Sequence, residues 1–123
     1  MTRLSIQQMS TDKLVENFSA AAIRQFEAEL DSDVAVQNKC VEQQLAIAAE
    51  LKNRSGDQRT ALLRLYDHLN VQVRLNAARH SLAVAPMAAR AVIRAVKDSR
   101  QHPQAMDAGM CLWTLEQGIF KPS

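Results

Sequence analysis

Aromatic side chains are scarce in this chain: one Trp, one Tyr and three Phe, 4% of the residues. Proline and glycine number only three each. Strands favour aromatic and β-branched residues, so this poverty argues against a sheet, and no segment shows sustained period-two alternation. Cysteine occurs twice, as Cys40 and Cys111, with no CxxC pair and no histidine at ligand spacing. A reduced pair is therefore expected, rather than a disulfide or a zinc site. No run approaches the ~20 apolar residues of a membrane span and the N-terminus lacks a sustained apolar core, so no membrane contact and a cytoplasmic location are expected.

What the chain does contain favours helix. Alanine, leucine, glutamine and arginine are abundant, hydrophobic residues make up 47% and charged residues 23%, an ordinary balance for a folded domain. At 123 residues one domain can bury a core without disulfides. The formal net charge is +2, too small to imply nucleic acid by itself. It is unevenly spread. Residues 1–56 hold six Lys/Arg and eight Asp/Glu, a net −2; residues 57–123 hold nine and five, a net +4. The second-half arginines are scattered over several helices rather than run together, which reads as a solvated surface more readily than as a nucleic-acid footprint.

Apolar spacing divides the chain. After a tail over residues 1–9, Ser10 or Thr11 caps a helix to about Leu30, with Leu14, Phe18, Ala22, Phe26 and Leu30 on one face. Asp31-Ser32-Asp33 breaks it. A second helix is expected from Val34 to Asn53, with Val34, Val41, Leu45, Ala48 and Leu51 facing inward. Asn53 to Asp57 is a loop. Shorter helices follow over about Gln58–Asp67, Val71–Val84, Pro86–Ser99 and from Pro103 to Gly118, the prolines placed where a first turn tolerates them. Six helices in antiparallel pairs result. Shifts of 37 and 33 residues superpose Val36, Cys40, Val41 and Leu45 on Val73, Ala77, Ala78 and Leu82, and those on Met106, Met110, Cys111 and Leu115. Such periods belong to two-helix solenoid units.

The middle unit, LLRLYDHLNVQVRLNAARHSL, resembles a HEAT repeat. It has a leucine-rich first helix, an acidic residue near that helix's end, then Val73-Arg74, Ala77-Ala78 and Leu82. The resemblance implies that Asp67 and Arg74 are structural, tying units together near the turn. Gln37 and Asp107 stand where the flanking units would carry the arginine. The chain as a whole resembles a bacterial family of small HEAT-like proteins of unknown function, through His68 to Leu75, Ala85-Pro86, Ala89-Arg90, Pro103 and Asp107-Ala108-Gly109. This implies an all-α, short right-handed superhelix of the HEAT/ARM kind over residues 10–119, with a tail at 120–123, and implies no activity.

Catalysis finds no footing. His68, His80 and His102 have no ligand partner at i+3 or i+4, and no HExxH, GxxxxGK[ST] or GxGxxG occurs. Cys40 and Cys111 sit among apolar neighbours, as small buried hydrophobes do. No catalytic, cofactor-binding or metal residue is assigned, and no cofactor is expected. In a HEAT-like stack the second helices line a concave face, where Lys39, Glu42, Gln43, Gln72, Asn76, Arg79 and His80 fall off the buried stripes. The last helix carries more apolar residues than one buried face requires, which nominates Met110, Leu112 and Trp113 as a contact for a protein partner or a homodimer. The reading is a non-enzymatic protein-interaction module, one version being an immunity or inhibitor-type protein. The alternative is a nucleic-acid-binding HEAT-like protein using the arginine-rich second half.

Overall fold

The computed structural model describes residues 5–123; the first four residues of the expected tail lie outside the described residues. Five α-helices follow one another: α1 (Thr11–Leu30), α2 (Val34–Asn53), α3 (Val71–Ser81), α4 (Pro86–Asp98) and α5 (Gln104–Glu116). Two 3₁₀ segments, Ile6–Gln8 and Gln58–Leu65, complete the secondary structure. Counting the longer 3₁₀ segment there are six helices, and the described residues contain no strand. The chain divides into two compact units at Ala61–Leu62.

The first unit is a helix hairpin. Ser10 caps α1 by accepting from the Lys13 amide, and Asp33 caps α2 by accepting from that of Val36. Between them Ser32 takes φ 55°, and the short turn sends α2 back along α1. Leu14, Val15, Phe18, Ala21 and Ala22 of α1 are buried, as are Cys40, Ile47, Ala48 and Leu51 of α2. The expected inward face of α2 is corrected: Val34, Val41 and Leu45 are exposed, and Gln44 is buried in their stead. Its amide donates to Gln25 Oε1 at 2.9 Å and to the Cys40 carbonyl at 3.0 Å, which makes burial of a polar side chain tolerable. Arg54, just past α2, holds the preceding segment. It pairs with Glu50 at 2.7 Å and donates to the carbonyls of Met9 at 2.6 Å and Ile6 at 3.2 Å.

The helix expected over Gln58–Asp67 is a 3₁₀ helix ending at Leu65. Its buried residues are Leu62 and Leu65, three apart, the spacing at which a threefold helix aligns its side chains. In the second unit α3 packs on α4 and α5, and α4 on α5. Asn70 caps α3 by accepting from the amides of Gln72 and Val73. The core takes Val73, Leu75, Ala77, Ala78 and Leu82 from the α3 segment, Ala89, Ile93 and Val96 from α4, and Ala105, Ala108 and Leu115 from α5. Helix α3 stops three residues earlier than expected, at Ser81, whose hydroxyl accepts no role in a cap but donates back to the Ala77 carbonyl at 2.6 Å. Pro86 opens α4, and Gly118 at φ 70° reverses the chain after α5.

Candidate interaction surface

Helix α5 separates two environments. Ala105, Ala108, Cys111, Leu112 and Leu115 turn inward, whereas Met106, Met110 and Trp113 stay in solvent, the last two 59% and 49% exposed. Gly118 then lets the C-terminal residues fold back: the amides of Ile119 and Phe120 both donate to the Thr114 carbonyl, at 3.0 and 3.1 Å. Phe120 thereby joins Arg79, Asp107, Met110, Cys111 and Thr114 around an open groove of about 330 Å³. The fold-back covers part of the last helix and leaves its methionine–tryptophan strip open.

The groove sets one guanidinium and one carboxylate among largely apolar side chains. Burial pushes the Cys111 thiol up, and the charges of Arg79 and Arg90 partly oppose that shift. A thiol held protonated is a poor nucleophile, and the Thr114 hydroxyl is spent on the Cys111 carbonyl at 2.8 Å. Asp107 is the carboxylate of the lining. Lys97 lays its aliphatic stem over Gly109, its Cγ 3.8 Å from where a Cβ would stand. The described residues contain no cluster of three His, Cys, Asp or Glu able to hold a metal ion, and no helix among them is long and apolar enough to cross a membrane.

The residues nominated from sequence are placed unequally. Lys39, Glu42 and Gln43 are exposed on α2 in the first unit; Arg79 is exposed and His80 half-buried on α3 in the second. Gln72 and Asn76 do not belong to an outer face. They are 4% and 6% exposed, because Gln72 Nε2 donates to Asn76 Oδ1 at 2.8 Å while Gln104 Nε2 donates to Gln72 Oε1 at 3.0 Å, a buried amide chain tying α3 to α5. Leu112, at 7%, also leaves the nominated contact, since it lies on the core side of α5. Arg74 donates to the carbonyls of His68 at 2.7 Å and Leu69 at 3.0 Å, in the turn before α3, and Asp67 is exposed. Sequence reasoning missed Phe120, Asp107 and Cys111 as neighbours of Arg79. Gly118 was the available signal, because a left-handed residue after a helix turns the following chain back onto it.

The family described as a domain of unknown function (DUF2019) matches residues 12–116. Among solved structures, that of the protein RPA1889 from Rhodopseudomonas palustris CGA009 is 46% identical in sequence. The match covers 98% of this chain and 100% of that one, with a TM-score of 0.95. No curated protein matches.

Proposed function

We infer that this chain, which belongs to the DUF2019 family, is a non-catalytic protein-interaction module built as a short HEAT-like helical stack. The observation that carries the reading is the exposed apolar strip Met106, Met110 and Trp113 beside Arg79 and Phe120. Contiguous apolar surface of this kind marks binding faces on soluble proteins, and a terminal helix of a stack would otherwise present a polar outer side. The HEAT-like part draws support from the α3 segment, where Val73, Ala77, Ala78 and Leu82 form the buried stripe that such a unit needs. Absence of catalysis draws support from the groove's chemistry, where burial pushes the Cys111 thiol up and the lining offers one carboxylate, Asp107, and no histidine.

An immunity or inhibitor-type protein is one concrete version; it requires a partner whose activity is abolished by stoichiometric binding. Affinity capture from a native bacterial lysate tests the module reading, comparing the wild type with an Arg79→Glu/Trp113→Glu variant. A protein retained by the first and lost by the second is the expected result; identical capture by both overturns the surface.

A second reading has one observation behind it. Arg90, Arg94 and Lys97 are exposed on α4 at i, i+4 and i+7, a cationic line on one helix face. Were it a phosphate-binding face, affinity for a short duplex would fall by roughly 0.9 log units per log unit of salt for each phosphate neutralised. No mobility shift at low salt disposes of it.

A further inference from the structure

Helix α2 carries an apolar strip of its own. Leu30 before it, then Val34, Val41 and Leu45, are all exposed, Leu45 by 53%. With Asn38 between them, positions 34, 38, 41 and 45 step by four, three and four residues, and Met106, Met110 and Trp113 on α5 step by four and three. These are the steps of a helix–helix seam, at which side chains of one helix enter holes on another. At 1.5 Å per residue the α2 strip is about 16 Å long, long enough to cover the ~10 Å from Met106 to Trp113. Neither strip is covered within the described chain.

Net charge distinguishes the two units that bear the strips. The unit bearing α2, residues 1–61, holds seven Lys/Arg and nine Asp/Glu, a net −2. The unit bearing α5, residues 62–123, holds eight and four, a net +4. Asp31, Asp33 and Glu42 are exposed near the α2 strip, as is Lys39; Arg79 lines the groove beside the α5 strip and Arg90 acts on its Cys111, while α5 itself carries exposed Asp107 and Glu116. Within the groove lining Asp107 offsets Arg79, so the positive balance is that of the unit as a whole. Pairing α5 with α5, or α2 with α2, would bring like-charged units together; pairing α2 with α5 joins opposite ones.

We propose that copies of this chain associate through the α2 strip of one, Val34, Val41 and Leu45, packed on the α5 strip of another, Met106, Met110 and Trp113. A second copy is the occupant because every chain carries both strips, on units of opposite net charge. This rests on the reading of the α5 surface as an interaction face and names the partner.

The test uses the full chain with Leu45→Glu and Met110→Glu variants, both at positions more than half exposed, so the fold is expected to survive; circular dichroism checks it, and Leu45→Gln and Met110→Gln serve where a charge unfolds the chain. Light scattering after size exclusion is expected to give a dimer or larger for the wild type. Each variant alone is expected to dissociate at least tenfold more readily. Mixed one to one, each supplies the strip the other lacks, and native mass spectrometry is expected to find the mixed dimer. A monomeric wild type overturns the proposal, as does an assembly that neither variant weakens. Loss with only one variant, unrescued by mixing, assigns a like-with-like contact and equally overturns it. A wild type that stays monomeric yet still captures a foreign protein through Arg79 and Trp113 sinks self-association alone and leaves the interaction-module reading standing.

Discussion

Arg54 shows how one side chain can hold a chain segment. It reaches two main-chain carbonyls and the Glu50 carboxylate from a position with little solvent access, and hydrogen bonds from a charged donor in such a setting each contribute more than neutral ones. Arg54→Ala is expected to cost about 1–3 kcal/mol in urea unfolding, and Arg54→Lys to recover little, because an ammonium cannot span the same acceptors. Tyr66 gives a titration handle. It is the chain's one tyrosine; burial raises its phenol, and the hydrogen bond with Ser81 works the other way. The folded state thus prefers the neutral phenol. Its stabilising contribution is complete below the ordinary tyrosine value of about 10 and is lost as pH climbs through the higher folded value. An ultraviolet titration should place the phenol above a model peptide's, and a coincident value would contradict its burial. At the acid end the sign reverses for Asp57, which the Arg59 guanidinium holds below the usual carboxylate range. That contribution is present above the ordinary carboxylate value and fades on acidification, and solvent screening keeps it small.

At the scale of elements, the rotation of α2 makes a sharp prediction. Ile47→Ala, at a 2% exposed site, should cost about 2–4 kcal/mol, whereas Leu45→Ala on the open strip should cost under about 1 kcal/mol in the isolated monomer; the opposite order would return Leu45 to the core. Gln104→Leu is expected to cost about 1–3 kcal/mol, because Gln72 Oε1 loses its donor inside the protein, while Gln101→Leu at an exposed position should be close to neutral. These same elements show what the sequence could reveal. Helix ends were legible wherever one residue does a local job: Ser10 and Asp33 accept from nearby amides, Pro86 opens a turn, Gly118 adopts a left-handed φ. The buried faces were less so. Hydrophobicity alone turned Val34, Val41 and Leu45 inward and Gln72 and Asn76 outward. What reverses both is the pairing of amides over distance, Gln44 with Gln25 and Gln104 with Gln72, and a side chain's eventual partner leaves no mark on local periodicity. Leu112 was misplaced for a related reason: on a helix apolar almost all round, pattern cannot say which side faces the core. The surplus itself was legible, and the exposed Met110 and Trp113 are its visible part.

For the molecule as a whole, helix was the expectation from composition and spacing, and the described residues are helical with no strand. The division at Ala61 had no compositional signal, because the 3₁₀ segment that runs through it mixes polar and apolar residues and holds no glycine or proline. Each side of that division buries its own aliphatic core, and each leaves one apolar strip uncovered. The division also sorts the chromophores. Trp113 and Tyr66, the chain's complete set of indole and phenol groups, both lie after residue 61, whereas α1 and α2, of twenty residues each, lie before it. Intrinsic fluorescence consequently originates in the second half, while far-ultraviolet ellipticity records both halves in nearly equal measure, so heating the protein under the two probes together reads whether its halves melt in concert.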